Sequence, residues 1–124
     1  MSPARILYRL ATPEDWGLAR AQGELPLSEA DRRDGFIHLS SETQALATAQ
    51  RHFAQSRGLY ALELDGEALS GRVKYEPSGP CGTELFPHLY GPLDISCVRN
   101  ARRLERDEDG AWRFCAQDET EAGA

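Results

Sequence analysis

The stretch that decides the fold is Gly-Phe-Ile-His-Leu-Ser-Ser, residues 35–41. Its large apolar side chains are typical of a short strand, and two serines follow where a helix would begin. Ser41 and Gln44 have the spacing of a capping box, in which two residues satisfy free backbone N–H groups at a helix N-terminus. We therefore predict a strand over residues 35–40 and a helix over residues 42–53. The apolar face of that helix is formed by residues at helical spacing, Ala45, Leu46, Ala49 and Phe53.

Composition places the chain among single-domain globular proteins. It has 124 residues, of which 40% are hydrophobic and 27% charged, which is enough for one core. The formal net charge is −6, and most of it lies after residue 106, where six acidic residues accompany a single arginine. The rest of the chain is close to neutral, which does not favour general binding to nucleic acid. We predict one domain over residues 1–114 and a disordered acidic tail over residues 115–124.

The sequence carries no sign of secretion or membrane insertion. No signal segment is visible at the N-terminus, and no apolar run approaches the ~20 residues of a membrane span. Cys81, Cys97 and Cys115 are odd in number and lack CxxC spacing, which argues against a disulfide framework and against a cysteine-rich zinc site. We therefore expect a cytoplasmic protein without a membrane partner.

The remaining elements are indicated by capping residues and turn signals. Residues 6–10 form a β-leaning segment, after which Thr12 and Pro13 start a helix that Gly23 ends. We predict that Trp16, Leu18 and Ala19 lie on the inner side of this helix.

The second half of the chain is predicted to be mostly strand. Residues 24–34 and 77–84 are predicted loops, because proline, glycine and charged residues dominate them. Asp109-Gly110 predicts a hairpin turn. The predicted strands cover residues 59–65, 72–76, 95–104 and 111–114. These elements together predict an α+β domain with five or six short strands and two helices in its N-terminal half.

His38 is the first candidate for chemistry. Ser40 lies two residues further along, on the same face of the predicted strand. Both side chains would then point toward the free N–H groups of the following helix, which suits a ribose or a phosphate. The alternative is a half-buried histidine with a purely structural role.

A second histidine lies in Phe-Pro-His-Leu-Tyr-Gly, residues 86–91. One interpretation is a rigid loop from which His88 and Tyr90 offer rings for stacking on a ligand. The other is a turn whose aromatic side chains fill the edge of the core. The histidines do not have metal-ligand spacing, so no metal site is predicted. A nucleophilic pair of Cys81 with a histidine is a minor alternative, because nothing near Cys81 indicates how its thiolate would be stabilised.

Two charged residues interrupt the predicted strands. Arg9, in an otherwise apolar strand, needs either an acidic partner or a ligand phosphate. Glu76 ends a strand and faces away from Val73 and Tyr75, either as an exposed carboxylate or aimed into a cleft under the 77–84 loop. An ion pair between Arg9 and Glu76 would satisfy both.

With these motifs the chain resembles a small, mostly bacterial family known as domain-of-unknown-function family 952. The resemblance covers the chain from Ile6 to about Leu104 and is most specific at residues 86–91. The other matching positions are Leu7, Tyr8, Thr12, Trp16, the GFIHLS stretch, Gln44, Phe53, Tyr75 and Glu76.

That family resembles, more distantly, the ADP-ribosyltransferase fold, in particular the NAD-dependent RNA 2′-phosphotransferases. The resemblance implies a split antiparallel β-barrel of two small sheets with NAD in the cleft between them. It also implies that Glu76 corresponds to the strand glutamate that holds the nicotinamide ribose and stabilises an oxocarbenium-like centre. Where the transferases carry a histidine after the first-strand tyrosine, this chain has Arg9, which cannot act as a neutral base.

The leading hypothesis is an enzyme that binds NAD or an ADP-ribose-like nucleotide, with Glu76 and His38 as catalytic residues. The cofactor-binding candidates are Tyr8, Arg9, Thr12, His38, Ser40, Tyr75, His88 and Tyr90. One alternative is a non-catalytic module that binds a nucleotide or another phosphorylated small molecule in the same cleft. A further alternative is a partner-binding protein that uses residues 86–91. The acceptor substrate and the oligomeric state stay open.

Overall fold

The fold is built around a four-stranded antiparallel sheet with apolar side chains on both faces. The computed structural model describes residues 6–77 and 82–115, so half of the predicted 77–84 loop, with Cys81, and nearly all of the predicted tail lie outside the described residues. The strands are β1 (Ile6–Ala11), β2 (Ile37–His38), β3 (Leu59–Asp65), β4 (Val73–Pro77), β5 (Leu85–Leu89), β6 (Val98–Arg106) and β7 (Trp112–Phe114). The α-helices are α1 (Pro13–Gln22), α2 (Glu29–Asp34), α3 (Glu42–His52) and α4 (Gly66–Leu69), and two 3₁₀ turns cover Ser70–Arg72 and Ile95–Cys97.

Two antiparallel sheets make this a mixed α/β fold. The larger sheet has the strand order β1-β3-β6-β7, and the smaller has the order β2-β5-β4. The two sheets are joined where Ser40, just after β2, exchanges backbone hydrogen bonds of 2.8 Å with Tyr8 of β1. The segment from residue 37 to residue 40 therefore pairs first with one sheet and then with the other.

Alternation along β1 and β3 sends apolar side chains to opposite faces of the larger sheet. One face, with Leu7, Leu62 and Leu64, packs against Ile37 and Leu89 of the smaller sheet. The other face packs against α3, with a cluster that includes Tyr8, Leu10, Ala45, Ala49, Ala61 and Trp112. The larger sheet is thus covered on both sides at β1 and β3, which explains why these two strands are predominantly apolar.

Several predicted elements are confirmed. Thr12 caps α1 by accepting the N–H of Asp15 at 3.1 Å, and Gly23 ends it at a φ of 86°. The capping box of α3 is present, since Gln44 Oε1 accepts the N–H of Ser41 at 3.0 Å. The apolar stripe predicted for α3 packs against the larger sheet. The strand at residues 59–65 and the hairpin that pairs β6 with β7 are also present.

The predicted loop over residues 24–34 is wrong in its second half, which forms helix α2. Ser28 and Asp31 form a capping box, and Gly35 ends the helix at a φ of 83°. Charged residues dominate this short helix, so it carries no apolar stripe that would distinguish it from a loop.

The predicted loop around residues 86–91 is wrong as well, because residues 85–89 form the central strand of the smaller sheet. Pro87 argued against a strand. It is tolerated because the ladder of β2 covers only His88 and Leu89, and the next bond runs from Leu39 N–H to the Pro87 carbonyl at 3.0 Å. That bond needs no N–H from proline.

Three smaller predictions also differ from the structure. Leu18 does not lie on the inner side of α1, where Trp16 and Ala19 pack against the core, but is 48% exposed. The strand predicted over residues 35–40 is confined to Ile37–His38. The first residues of the strand predicted over 95–104 form a 3₁₀ turn that Asp94 caps.

Replacing Leu62 with Ala should lower the free energy of unfolding by about 2–5 kcal/mol, because this side chain is fully buried between the two sheets. Leu18→Ala is the matched control, since half of that side chain already lies in water. It should change stability by less than about 0.5 kcal/mol. Denaturant unfolding of both variants measures the difference. Equal losses would contradict the assignment of the core.

Candidate functional site

One face of the smaller sheet collects polar and aromatic side chains. In the β4–β5 ladder Lys74 pairs with His88, and Glu76 pairs with Phe86, so these four share a face. His38 pairs with His88 across the β2–β5 ladder and lies on the same face. We call this surface, which carries His38, Glu76 and His88, the site face. Residues of opposite parity, such as Leu89 and Val73, face the core.

Glu76 is held on the site face by two side chains. His88 Nδ1 lies 2.8 Å from Glu76 Oε1, and the Tyr90 hydroxyl donates to the same oxygen at 2.7 Å. The Tyr90 hydrogen bond, followed by the His88 hydrogen bond, lowers the pKa of Glu76. The carboxylate raises the pKa of the Tyr90 phenol in return. Glu76 is thus an ionised, oriented carboxylate, and its side chain is 36% exposed.

Phe36 covers this arrangement with its ring. It stacks on the buried His88 ring with a centroid distance of 3.9 Å and an interplanar angle of 15°. It also contacts His38 at 4.7 Å and Tyr90 at 5.4 Å between ring centroids. The Lys74 ammonium lies 5.1 Å from the centroid of the Tyr90 ring, within range of a cation–π contact. The site face therefore offers aromatic surface, one carboxylate and one exposed cation.

His38 lies between two carboxylates of helix α2. Its Nδ1 lies 2.8 Å from Asp31 Oδ1, and its Nε2 lies 2.9 Å from Asp34 Oδ2. Because an ionised carboxylate only accepts hydrogen bonds, both ring nitrogens act as donors in this geometry. The two α2 carboxylates thus occupy both ring nitrogens of His38.

Asp31 is the buried centre of this network. Its side chain is 1% exposed and binds the Arg9 guanidinium at 2.7 and 3.2 Å. It also accepts the backbone N–H groups of His38 and Ser28, at 3.1 and 2.9 Å. Burial acts to raise the pKa of Asp31, but the His38 hydrogen bond and the Arg9 charge outweigh it and hold that pKa well below its ordinary value. Asp31 thus stays ionised across the physiological range.

The structure brings four of the predicted site residues together, namely His38, Glu76, His88 and Tyr90. Arg9 is buried and contacts this group only through the backbone of His38. It is 7% exposed, and its Nη1 donates to the His38 carbonyl at 3.0 Å. The predicted ion pair between Arg9 and Glu76 is wrong. The Arg9 side chain lies on the face of β1 that carries Leu7, where it pairs with Asp31 of α2.

Four other predicted residues lie elsewhere. Tyr8 neighbours Arg9 in β1 and so points to the opposite face of the sheet, where its hydroxyl donates to Glu63 at 3.2 Å. The Thr12 hydroxyl is used as the cap of α1. Ser40 is buried and donates to Thr48 at 3.3 Å, so it does not project with His38 as the strand pattern predicted. Tyr75 lies on the sheet face opposite to Glu76.

Four residues of the site were missed by sequence reasoning, namely Phe36, Asp31, Asp34 and Lys74. The spacing Ser28-x-x-Asp31 is a capping signal that indicates a helix, and Gly35 is a stop signal for it. A helix over these residues places Asp31 and Asp34 on neighbouring positions of one face. The signal for the two aspartates was therefore present, but nothing in the sequence showed which histidine they would meet.

An open groove of about 480 Å³ runs beside the Phe36 ring, within the size range of small-molecule sites. Its lining residues are Glu24, Leu27, Asp31, Arg32, Gly35, Phe36, Ile37, Gly91 and Pro92. Gly91, at a φ of 127°, allows the Arg72 guanidinium to pack closely, because an added Cβ would lie 2.7 Å from its nearest nitrogen. That guanidinium donates to the Pro92 carbonyl at 2.8 Å and so holds this edge of the groove.

Within residues 6–77 and 82–115, no group of three or more His, Cys, Asp or Glu side chains is arranged to hold a metal ion. In the same part of the chain, none of the helices has the length and apolar character that crossing a bilayer requires.

The chain belongs to the family of proteins of unknown function DUF952, whose model matches residues 10–101. This confirms the family predicted from the GFIHLS and FPHLYG motifs. The fold is similar to the X-ray crystal structure of protein CC0527 from Caulobacter crescentus, with 38% sequence identity and a TM-score of 0.79. That match covers 87% of this chain and 93% of CC0527.

The solution NMR structure of CC0527 is also similar, with 35% identity, a TM-score of 0.74 and coverage of 97% of both chains. No match was found among curated proteins. The family and the fold are therefore shown, and the comparisons carry no activity with them.

Replacing Asp31 with Asn should lower the free energy of unfolding by about 3–5 kcal/mol, because it leaves Arg9 charged and buried without its partner. Asp34→Asn is the control, since this carboxylate is partly exposed and its loss should cost much less than the loss of Asp31. Denaturant unfolding compares the two. A loss below about 1 kcal/mol for Asp31→Asn would contradict the central role of this carboxylate.

A comparison of wild type with Asp31→Asn at different pH values gives a second test of this carboxylate. In the unfolded chain Asp31 takes up a proton at its ordinary pKa, whereas in the fold it does so only at lower pH. Its contribution is therefore fully present above that ordinary value and is lost as pH falls through the acid range. Wild type should lose stability on acidification more steeply than Asp31→Asn does.

Tyr8 should ionise only well above the ordinary pKa of a tyrosine. Burial, followed by the negative charge of Glu63, raises its pKa to about 12. Because the raised pKa favours the neutral phenol, this contribution to stability is lost as pH rises from about 10 toward 12. A spectrophotometric titration of phenolate absorbance should show a late step that Tyr8→Phe removes. A late step unaffected by Tyr8→Phe would contradict this environment.

Proposed function

We propose that the site face binds a nucleotide of the NAD or ADP-ribose class, in a domain similar to the ADP-ribosyltransferases. The observation that carries the proposal is the state of Glu76. One of its oxygens is fixed by His88 and Tyr90, and in the described part of the chain no hydrogen bond engages the other. A fixed, ionised and accessible carboxylate is the group needed to accept a ribose hydroxyl and to stabilise positive charge at the neighbouring anomeric carbon.

The surroundings of Glu76 fit such a nucleotide in part. The rings of Phe36 and Tyr90 lie beside the carboxylate and offer surface for a base or a nicotinamide. Lys74 is an exposed cation on the same face, within reach of a phosphate. NAD would supply an ADP-ribosyl group through cleavage of its bond to nicotinamide. The residues of this chain would orient the ribose and offset the charge that develops.

Two residues take different roles from those that the resemblance implied. Arg9 is buried against Asp31, so in this proposal it supports the site rather than binding a diphosphate. His38 has both ring nitrogens bound to carboxylates, so in this proposal it holds α2 beside the groove rather than acting as a base. His88 becomes the residue that positions Glu76.

The second candidate function is non-catalytic binding of a nucleotide or another phosphorylated small molecule. The observation that favours it is the same occupation of Arg9 and His38 by carboxylates. Among the described residues of the site face, both ring nitrogens of His38 are bound to carboxylates, and the His88 ring is buried under Phe36. Binding would persist without turnover.

Titration of the purified chain with NAD, ADP-ribose, AMP and inorganic phosphate tests the ligand binding that both candidate functions require. A ligand at 100 times its dissociation constant adds about 2.7 kcal/mol of stability, which a thermal melt detects. NAD or ADP-ribose should stabilise wild type, and Glu76→Gln should weaken that binding by about 10-fold or more, because a hydrogen bond to a charged group is lost. Glu105→Gln, an exposed strand glutamate paired with Arg113, is the matched control.

Nicotinamide release separates the two functions. Release from NAD by wild type but not by Glu76→Gln supports the enzyme, whereas binding without release on long incubation supports the binding module. If none of the four compounds shifts the melt of wild type, the nucleotide proposal is wrong.

A further inference from the structure

Strand β4 forms one edge of the smaller sheet. The strand order is β2-β5-β4, so β4 pairs with β5 on one side only, and among the described residues no strand pairs with its other side. An open edge of this kind is a template for pairing with a further strand.

The ladder determines which backbone groups point outward from this edge. Tyr90 N–H donates to the Arg72 carbonyl at 2.8 Å, so residue 72 points its hydrogen-bonding groups toward β5. Because these groups alternate along a strand, Lys74 and Glu76 do the same, whereas Val73, Tyr75 and Pro77 direct theirs outward. Proline at residue 77 agrees with this, since its missing N–H falls on the open side.

We propose that a second copy of this chain adds its own β4 to this edge, antiparallel and related by a two-fold axis that passes beside Tyr75. The two Tyr75 residues then exchange N–H and C=O hydrogen bonds, and each Val73 N–H donates to the Pro77 carbonyl of the other copy. Neither bond competes with the β4–β5 ladder, because both use the outward groups.

The side chains of β4 are complementary to themselves in this register. Lys74 of one copy lies opposite Glu76 of the other, so each copy forms an opposite-charge pair with its neighbour on both sides of the axis. Charged residues on an edge normally prevent pairing, but here the opposite charges of the two strands meet. A one-residue shift of the register would place Tyr75 opposite a charge and lose this match.

Exposed apolar side chains lie on the other face of the same edge. Tyr75 is 47% exposed and Leu85 is 50% exposed, and the ladder puts both on one face because Leu85 pairs with Pro77. The two-fold brings the Tyr75 rings of the two copies together over this face. The pairing thus buries apolar surface that an isolated chain leaves in water.

The pairing also completes the surroundings of Glu76. The second copy's lysine at position 74 arrives on the site face, beside the carboxylate that His88 and Tyr90 hold. This inference depends on the edge geometry and not on the proposed nucleotide function, so either can fail alone.

Sedimentation equilibrium of the full chain, measured up to about 1 mM, which is the weak limit of specific association, tests the pairing. Wild type should be a dimer. Lys74→Glu and Glu76→Lys should each be monomeric, because each places like charges opposite one another. An equimolar mixture of these two variants should recover the dimer, because all opposing charges are again of opposite sign.

Tyr75→Pro gives a second, independent test. It removes an outward N–H and the ring that packs across the two-fold axis, but no bond of the β4–β5 ladder, so the variant should be monomeric with a cooperative melt. Leu18→Ser, at an exposed leucine on α1, is the control and should leave the dimer intact. A monomeric wild type would overturn the proposal. A dimer that survives Tyr75→Pro, or charge variants that stay monomeric when mixed, would overturn it too.

Discussion

The hydrogen bonds of one buried carboxylate, that of Asp31, hold the two sheets and helix α2 in their arrangement. Arg9 comes from the larger sheet, His38 from the smaller, and Asp31 from the helix between them. A buried aspartate is costly unless it is paired and fully hydrogen-bonded, and this one receives both charged and backbone donors. The three elements are therefore tied together at one point, and the position of α2 against the smaller sheet follows from it.

The hydrogen-bond network around Asp31 differs in its properties from the network around Glu76. The Asp31 carboxylate is enclosed and bound by Arg9, His38 and Ser28, so this network stabilises a geometry and leaves little of that carboxylate for a ligand. Around Glu76 the carboxylate is oriented by His88 and Tyr90 but remains partly open to water. Phe36 lies between the two networks and contacts the histidine of each. Rigid support on one side and an accessible charge on the other is the general arrangement of a binding site.

Local signals predicted the elements whose ends are marked chemically. Thr12 with Pro13, Ser41 with Gln44, and Asp109 with Gly110 each solve a backbone problem within a few residues, so they can be recognised without the rest of the fold. The ends of helix α2 are marked as well, by Ser28 with Asp31 and by Gly35, but its charged sequence carries no apolar stripe that would distinguish it from a loop. Strand β5 was missed because Pro87 argued against a strand. Helix α2 is anchored through Asp31, and β5 remains a central strand because the hydrogen bond at Pro87 uses the proline carbonyl and needs no proline N–H.

The candidate site shows the same division. The sequence by itself determined the family, the two histidine motifs and the parity that puts Glu76 on the face away from Val73, because these depend on residue identity and on the two-residue period of a strand. Only the tertiary structure decided that Arg9 meets Asp31 rather than Glu76, that Tyr8 and Ser40 are turned toward α3, and that Phe36 stacks on His88. Such contacts join residues far apart in the chain, and they depend on how the two sheets cross at residues 37–40, which no local pattern encodes.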